Sequence, residues 1–261
     1  MSTLRRQLDI ATLGRFAAAL PLALALAACA TPPPPDDPDA VAAYQEANDP
    51  LEPLNRGIFE FNLTLDGVLL KPAAQIYRGV VPDEGRKGVS NLLDNWSSPV
   101  TFANDLLQGE FDRATVTLGR FFINTGFGFL GVIDVVDYLG GDPGHDEDFG
   151  QTLAVRGAGE GPYLMLPIYG PSNPRDAAGL AIDFFIDPLT YLLRGEAADL
   201  IFGGATAVDR RERHLDELDD VEKTSIDLYA AIRSLYRQNR ASEVRNGEPD
   251  LESLADEELI E

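Results

Sequence analysis

Apolar residues in the first part of the chain recur every three to four positions, which is the spacing of one face of an α-helix. After a turn that begins at Asn48, such a stripe runs from Leu54 to Leu69. Pro72 is predicted to end this helix, because proline cannot donate the next backbone hydrogen bond. No stretch of useful length alternates apolar and polar residues, so the chain is predicted to be mainly α-helical.

Helix start and stop signals divide the next part of the chain into three predicted helices. A short helix is expected from residue 82 to about residue 93, with acidic residues near its N-terminus. A Ser-Ser-Pro sequence that ends at Pro99 predicts the start of a second helix, which ends at Gly109. A third helix is predicted from Phe111 to about Thr125.

The run from Gly126 to Asp134 is apolar but short, and glycines alternate in it with bulky side chains. It has fewer than the roughly 20 residues that a spanning helix needs. Three interpretations stay open: close approach of two helices, a flexible apolar segment in contact with lipid, or a packed corner of the core.

Residues 146–176 combine many glycines and prolines with apolar side chains. The glycines and prolines exclude a long regular helix. The apolar residues between them, such as Leu164 and Ile168, need burial, which is not typical of a polar linker. A long irregular loop of this kind is often functional; a buried hairpin that only packs the core is the alternative.

A helix is predicted to start at Pro174, because Asn173 can cap it and proline fits its first turn. The apolar stretch 177–193 that follows resembles a membrane span. Asp183 and Asp187 interrupt it, and an aspartate at the centre of a span costs about 2.5–3.5 kcal/mol. We therefore expect a helix pair that is buried in the protein or lies at the membrane interface.

The last helix is predicted over about 209–239, with apolar residues on one face and charged residues on the other. Packing on the domain and binding of a partner both fit such a helix. The final residues, 241–261, are acidic and contain few apolar side chains, which predicts a disordered tail.

The first 28 residues have the pattern of a bacterial signal peptide. Arginines precede an apolar segment that is too short to span a bilayer comfortably. Small residues then precede Cys29, the single cysteine of the chain, which predicts cleavage and lipidation at Cys29. Ala30 in the next position favours the outer membrane of a Gram-negative bacterium, with the domain facing the periplasm. An ordinary secretory signal with an accidental cysteine is the alternative.

Residues 29–47 are predicted to form a lipidated, proline-rich tether that leads into one helical domain at 48–240. The chain has a formal net charge of −22, and removal of residues 1–28 leaves −24. This charge argues against nucleic acid as a partner, because nucleic-acid binding needs a basic surface. It also argues against electrostatic attraction to anionic lipid, so acyl chains and apolar surface must hold the protein at the membrane.

The sequence shows no specific catalytic or cofactor motif. The run from His145 to Asp148 lacks the spacing of a metal site, because neighbouring residues in a loop rarely point to one centre. Ser172 has no GxSxG context, so a lipase-like role rests only on lipid being the expected ligand. The glycine-rich run 157–161 follows no βαβ pattern, which makes nucleotide binding a weak hypothesis. We therefore predict no enzyme activity, metal or cofactor.

Short motifs in one order through residues 48–194 carry a family resemblance. They include Asn-Asp-Pro-Leu-Glu at 48–52, Asn-Asp-Leu-Leu-Gln-Gly at 104–109, Glu-Asp-Phe-Gly-Gln-Thr-Leu at 147–153 and Gly-Pro-Tyr at 161–163. With them the chain resembles the MlaA/VacJ family of outer-membrane lipoproteins, which take part in moving phospholipids between the outer membrane and the periplasm. Ala154 stands where the family pattern usually has glycine, and Arg156 where it usually has an aromatic residue.

The resemblance implies a ring-like, mainly helical protein embedded in the outer membrane, with an amphipathic channel for phospholipid headgroups. It also implies a trimeric porin and a soluble periplasmic lipid carrier as partners, and removal of misplaced phospholipids from the outer leaflet as the activity. Six polar residues are candidates for lining or shaping the channel: Asn62, Asn91, Asn95, Arg120, Asn124 and Asp134. Helix capping or buried structural pairing of the same residues is the alternative.

One other function stays open beside lipid transfer. A lipid-anchored structural or docking protein would bind a porin or another envelope partner through the amphipathic last helix and the acidic tail. Deletion of the residues after Asp209 would separate the two functions, because a docking protein would lose its partner while lipid asymmetry stayed intact.

Overall fold

The computed structural model describes residues 33, 34, 36–188 and 196–248, and of residues 196–200 the backbone alone. Over this part of the chain it shows eleven α-helices, one π-turn and one two-stranded hairpin, which confirms the mainly α prediction. The predicted signal peptide at 1–28, the predicted lipidation site Cys29 and residues 249–261 of the acidic tail lie outside the described residues.

The helices have the following bounds: α1 Pro38–Ala47, α2 Glu52–Leu65, α3 Lys71–Val80, α4 Asp83–Gln108, α5 Phe111–Phe127, α6 Val135–Tyr138, α7 Phe149–Val155, α8 Pro174–Ile186, α9 Glu196–Arg213, α10 Leu215–Thr224 and α11 Leu228–Val244. The π-turn is Asp66–Leu70, and the hairpin strands are β1 Leu164–Leu166 and β2 Gly170–Ser172. None of these helices, within the described ranges, combines the length and apolar character needed to cross a membrane.

Helix α1 lies inside the segment predicted as a tether. Its N-cap Asp37 accepts a hydrogen bond from the backbone N–H of Ala40 at 3.0 Å, and Pro38 takes the first helical position. Residues 29–47 therefore include a helix of ten residues directly before the predicted domain.

The prediction that Pro72 ends the first long helix is wrong. Helix α2 continues through the π-turn into α3, and Pro72 lies in the first turn of α3. In the π-turn the N–H of Lys71 donates to the C=O of Asp66, five residues earlier, so the helix continues without a break up to Pro72.

The two helices predicted before Gly109 are one helix, α4, with Pro99 in its interior. The hydroxyl groups of Ser97 and Ser98 donate to the backbone C=O of Asp94, at 2.8 and 3.2 Å, instead of capping a new helix. The predicted end is confirmed, because Gly109 adopts a left-handed conformation with a φ of 90°.

The single long helix predicted over 209–239 is wrong, since α9, α10 and α11 divide this region. Helix α11 also continues to Val244, so residues 241–244 of the predicted disordered tail are helical. The chain leaves the helical path at His214 and again at Ser225. Asp227 then caps α11 by accepting a hydrogen bond from the N–H of Ala230 at 3.1 Å. The apolar spacing continues across both breaks, so periodicity alone did not reveal them.

Two other predicted helix starts are confirmed. Helix α5 begins at Phe111 and extends two residues beyond Thr125. Helix α8 begins after its N-cap Asn173 and ends at Ile186. Residues 189–193 of the predicted apolar stretch lie outside the described residues.

The segment 146–176 contains the short helix α7 and the antiparallel hairpin, in which Met165 pairs with Pro171. The hairpin considered from the sequence is therefore present, but only part of it is buried. The expected burial of Ile168 is wrong, because Ile168 and Tyr169 at the turn are 67% and 71% exposed. Met165 belongs to a small core cluster whose other members are Phe59, Tyr163 and Tyr229.

Neighbouring elements of the described chain pack in a closed circuit. From α2 the contacts run through β1 and β2 to α11, then through α7, α4, α9 and α3, and return to α2 through the π-turn. This circuit is the predicted ring-like arrangement of helices.

Candidate functional site: a polar interior within an apolar surface

Buried positions in the described chain are mostly polar. Seven hydrophobic residues are buried there, against sixteen polar or charged ones. Asn55, Asn104, Asp105 and Asp209 each have at most 1% of their surface exposed. A soluble domain normally buries apolar residues and leaves its charges outside, so this protein distributes its side chains in the opposite sense.

Large apolar side chains lie at the surface instead. The most exposed in the first 140 residues are Val68 at 77%, Val80 at 74%, Phe127 at 79%, Phe129 at 78%, Tyr138 at 85% and Leu139 at 73%. Exposed apolar surface on this scale marks contact with a membrane or with another protein.

Residues 127–133, which we call the apolar turn, join α5 to the loop before α6. Phe129 and Leu130 have positive φ values of 52° and 62°, a conformation that is rare for bulky residues and needs support from the surrounding structure. Both side chains point outward, with 78% and 57% of their surface exposed. Exposure of this apolar run agrees with the interpretation of a segment in contact with lipid, but the lipid contact and the flexibility stay predictions.

Asn91 and Asn95 on α4 hold the apolar turn from one side. The side-chain amide of Asn95 donates to Thr125 Oγ1 at 2.9 Å and to the C=O of Leu130 at 3.3 Å. The amide of Asn91 donates to the C=O of Val132 at 3.2 Å. These bonds satisfy carbonyl groups that the irregular backbone leaves without helical partners.

Arg120, Asn124 and Asp134 hold the turn from the other side. Asn124 donates to Asp134 Oδ1 at 2.9 Å and accepts from the N–H of Val135 at 2.9 Å. Arg120 forms an ion pair with Asp134 and donates to the C=O of Asp142 at 2.6 Å. Asp134 also caps α6. These three side chains fix the path of the chain where it leaves α5.

Asn62 lies apart from the other five candidates. Its amide donates to the C=O of Leu166 at 2.9 Å, and its Oδ1 accepts from the N–H of Ile168 at 2.8 Å. Asn62 therefore connects α2 to the hairpin through two hydrogen bonds. The structure brings five of the six candidates together around the apolar turn, and the role of all six in lining or shaping a channel stays a prediction.

A second polar cluster joins the chain before α2, the hairpin and α11, and the sequence analysis did not single it out. Asp49 accepts hydrogen bonds from the hydroxyl of Tyr229 and, at 2.9 Å, from Arg233. Asn55 donates to Asp49 at 2.8 Å and to the C=O of Tyr163 at 3.1 Å. The Asn-Asp-Pro sequence around Asp49 was its only signal in the sequence.

Arg240 connects α11 to α7 and α8. Its guanidinium donates at 2.7–2.9 Å to three carboxylates, those of Asp148, Asp176 and Glu243. Burial lowers the pKa of Arg240, but these hydrogen bonds outweigh burial and raise it above its ordinary value. The cluster was not predicted, because its members are up to 95 residues apart in the sequence.

Asp105, His145 and Glu147 come together, which contradicts the expectation that residues of the 145–148 loop point to different places. Their potential ligand atoms lie within 4.8 Å of one another. Asp105 accepts from the hydroxyl of Thr117 at 2.8 Å, and Glu147 accepts from Arg113 at 2.7 Å. Burial raises the pKa of Glu147 although such bonds oppose it. The contacts are those of a buried hydrogen-bond network between α4, α5 and this loop.

Ser172 lacks the surroundings of a nucleophile in the described structure. It is buried at the end of β2, and its hydroxyl donates to the C=O of the next residue at 3.3 Å. The two histidines bond elsewhere, His145 to Asp105 and His214 to Glu217. A lipase-like role therefore has no geometric support.

A sequence model described as "MlaA lipoprotein" matches residues 47–243 of the chain. An "Intermembrane phospholipid transport system lipoprotein MlaA" of Haemophilus influenzae is 35% identical over 223 residues, which is 83% of this chain and 88% of that protein. The protein of the same description in Escherichia coli K12 is 34% identical and covers 78% of this chain and 81% of its own length.

Two further similarities agree with these matches. An uncharacterised protein of Rickettsia felis is 37% identical over 199 residues, covering 76% of this chain and 78% of its own. A solved chain from work on the structural basis for maintenance of bacterial outer membrane lipid asymmetry superposes with a TM-score of 0.66 at 34% identity. That superposition covers 74% of this chain and 96% of the solved chain.

Proposed function

The chain belongs to the MlaA lipoprotein family, and from this premise we propose that it transports phospholipids as a component of a bacterial envelope. It removes mislocalised phospholipids from the outer leaflet of the outer membrane through an amphipathic channel. It then passes them to a soluble periplasmic carrier and so maintains lipid asymmetry. The names of the relatives from Haemophilus influenzae and Escherichia coli support the phospholipid as the substrate.

The main support for this proposal is that polar residues are buried and large apolar residues are exposed, the reverse of a soluble domain. In water, exposed phenylalanine and leucine side chains such as Phe127 and Leu139 would drive aggregation. In a lipid leaflet the same side chains meet hydrocarbon, and the ring of helices needs no spanning segment to stay there. The buried polar residues are then separated from hydrocarbon by the helices themselves.

A ring with a polar interior suits the passage of a phospholipid headgroup. A charged or polar headgroup crosses hydrocarbon slowly, because its hydrogen bonds with water are lost and not replaced. Side-chain amides and carboxylates inside the ring replace those bonds, so the barrier falls without any covalent step. Transport of this kind needs no nucleophile, metal or cofactor, and we propose that the protein is not an enzyme.

The location and the protein partners belong to the same proposal. Lipidation at Cys29 and the exposed apolar side chains hold the protein in the periplasmic leaflet of the outer membrane. A trimeric porin packs against part of the apolar surface, and the soluble lipid carrier docks from the periplasm. The net charge of −22 argues against nucleic acid as a partner.

The docking function has weaker support, because the apolar face of the last helix is already occupied. Leu228, Ile232 and Tyr236 of α11 pack against the core cluster around Tyr163. A partner that needed this face would have to displace α11 from the domain.

The test is the phospholipid content of the outer leaflet in cells that lack the protein, complemented with the wild type or with Cys29→Ala at equal abundance. We expect surface phospholipid to rise in the deletion strain and to return to normal only with the lipidated protein. Unchanged surface phospholipid in the deletion strain would refute the transport function. Fatty-acid release by the purified protein that disappears in Ser172→Ala would replace transport by hydrolysis.

A further inference from the structure

A buried cluster that the transport function does not use lies between α4 and the loop that joins α6 to α7. It consists of Asp105 from α4 and of His145 and Glu147 from the loop, and their potential ligand atoms lie within 4.8 Å of one another. The two carboxylate side chains are 0% and 2% exposed, and the imidazole is 16% exposed. Imidazole and carboxylate groups together form a ligand set that zinc accepts.

The distances in this cluster fit one small ion. His145 Nε2 lies 2.9 Å from Asp105 Oδ1. Two atoms that bind one zinc ion at about 2.0–2.2 Å in tetrahedral geometry lie about 3.3 Å apart. A small rotation of the imidazole therefore opens enough space for the ion between the two groups, and Nε2 releases its proton when it binds the metal. Glu147 supplies the third ligand from the same loop.

The hydrogen bonds of the two carboxylates leave acceptor sites for a metal. Asp105 Oδ2 accepts from the hydroxyl of Thr117 at 2.8 Å, and Glu147 Oε2 accepts from the amide of Gln108 at 2.7 Å. An ionised carboxylate has about four lone-pair sites, so each group keeps sites that these donors do not use. Donors of this kind orient the carboxylates that bind metals in proteins, and the described chain therefore also supplies the outer partners of a metal site.

In the described chain no guanidinium or ammonium group lies within hydrogen-bond distance of Asp105. Arg113 donates to Glu147 at 2.7 Å, but its Nε lies 4.0 Å from Asp105 Oδ1. Buried carboxylates are costly unless they are paired or bind a metal, and two of them at close range repel each other. A metal ion between them turns this repulsion into attraction. Arg113 Nε is itself buried without an acceptor in the described chain, and a water molecule on the ion would provide one.

The loop reaches this position through irregular backbone. Residues 141–148 form neither helix nor strand, so two residues in alternate positions can turn to the same side. Gly144 allows the loop to run close to α5, because a Cβ there would lie 3.2 Å from Arg120 Nε. The loop ends at Asp148, which caps α7 by accepting from the N–H of Gln151 at 2.9 Å. An ion in the cluster would therefore fix the segment directly before α7.

We propose that Asp105, His145 and Glu147 bind one divalent transition-metal ion, with zinc as the best match, and that this ion holds the loop before α7 against α4. The role of the ion is structural, since the cluster is buried and the transport of a headgroup involves no covalent step. This inference goes beyond the transport function, because bound metal is measured on the isolated protein without any movement of lipid.

The experiment measures zinc in the Cys29→Ala protein, so that the single thiol of the chain cannot bind the metal. The protein is purified in detergent with a tag that lacks histidine. It is loaded with zinc in the presence of excess magnesium, which occupies exposed carboxylates, and is dialysed before elemental analysis by mass spectrometry. We expect one zinc ion per chain, and a Tm that rises with zinc and falls again with a chelator, because an ion that binds only the folded state stabilises it.

The two histidines of the chain provide a matched pair of variants in this background. His145→Gln keeps a hydrogen-bond donor near Asp105 but removes the imidazole ligand. It is expected to weaken zinc binding at least tenfold and to abolish the rise in Tm, since even the loss of an outer partner of a ligand costs about 10–100-fold. His214→Gln is the control, because His214 also bonds to a carboxylate, that of Glu217 at 3.0 Å, but is 59% exposed. We expect it to change neither quantity.

Failure of the Cys29→Ala protein to retain zinc would overturn the proposal, because a protonated His145 would then balance Asp105 without a metal. Equal weakening by His145→Gln and His214→Gln would also overturn it. If His145→Gln fails to fold, as judged by circular dichroism, X-ray absorption at the zinc edge of the loaded His214→Gln protein decides. His145 is the single histidine of that variant, so an imidazole bound to zinc supports the site, and a shell of oxygen atoms alone overturns it.

Discussion

Asn55 shows how single polar residues hold this protein together. The residue is 1% exposed and lies on α2. Its amide donates to Asp49 and to the C=O of Tyr163, and its Oδ1 accepts from the N–H of Met165 at 2.9 Å. One side chain thus connects the start of the domain with the first strand of the hairpin. Asn55 bonds to two members of the core cluster, Tyr163 and Met165, so these hydrogen bonds fix how the hairpin packs in the core.

The variant Asn55→Ala is expected to lower the free energy of unfolding by about 2–4 kcal/mol, because it leaves buried backbone groups of Tyr163 and Met165 unpaired. Urea unfolding in a mild detergent, followed by circular dichroism, measures the change. Thr64→Ala is the matched control, since its hydroxyl bonds only to the C=O of Glu60 in its own helix; a change within about 0.5 kcal/mol is expected. Equal changes in both variants would contradict this role of Asn55.

Asp176 makes a pH-dependent contribution to stability. Burial raises its pKa, but the hydrogen bonds from Arg240 and two further donors outweigh burial and lower the pKa to about 2, from an ordinary value of 3.8. A carboxyl group with a depressed pKa in the folded protein stabilises it fully above its ordinary pKa. This contribution is lost as the pH falls from about 4 to about 2.

The free energy of unfolding of the wild type and of Asp176→Asn, measured by denaturant titration between pH 5 and pH 2, tests this dependence. The wild type is expected to be more stable at pH 5, and the difference is expected to shrink towards pH 2, because the wild-type carboxylate is then protonated. A difference that stays constant over this range would show that Asp176 acts through its shape rather than its charge.

Helices α7 and α8 approach so closely that glycine is required where they meet. A Cβ at Gly179 of α8 would lie 2.3 Å from the backbone N of Gly150 in α7, a separation that atoms in proteins do not adopt. The two helices carry Asp148 and Asp176, both partners of Arg240. Their close approach therefore brings the two carboxylates to one guanidinium.

Gly179→Ala is expected to lower the free energy of unfolding by about 1–3 kcal/mol or more, because the added methyl group forces the helices apart. Gly119→Ala in α5 is the control. It has no atom within 4 Å of the new Cβ, and the higher helix propensity of alanine is expected to stabilise it by up to about 1 kcal/mol. Thermal unfolding of both variants measures the difference, and stabilisation by Gly179→Ala would refute the close contact.

For the whole molecule, the apolar surface is expected to hold the protein on a membrane even when the proposed lipid at Cys29 is absent. The apolar turn contributes Phe127, Phe129 and Leu130, each more than half exposed. Burial of apolar surface gives roughly 25 cal/mol per Å² removed from water. Three side chains of this size therefore supply a large part of the attachment.

Vesicle flotation of the Cys29→Ala protein with serine at all three positions tests this role. We expect the fraction bound to phospholipid vesicles to fall several-fold relative to Cys29→Ala alone, because less apolar surface enters the hydrocarbon. Ile226→Ser is the control, since Ile226 is fully exposed but lies between α10 and α11, away from the turn. If Ile226→Ser reduced vesicle binding equally, membrane attachment would not depend on the apolar turn in particular.

The sequence alone determined the features that depend on neighbouring residues. Asn173 before Pro174 and Gly109 after α4 mark helix ends through local capping and backbone conformation. The Gly/Pro density of 146–176 excluded a long helix for the same local reason. The ordered motifs identified the family, and the family model confirmed it.

Only the tertiary structure decided the features that depend on distant contacts. Whether Pro99 starts a new helix or lies inside α4, and whether 209–239 is one helix or three, depends on packing energies that exceed local propensity. The polar clusters of Asp49 and Arg240 join residues that are far apart in the sequence. Local periodicity does not predict contacts between distant residues. The burial of polar groups and the exposure of apolar groups are therefore visible only in the folded structure.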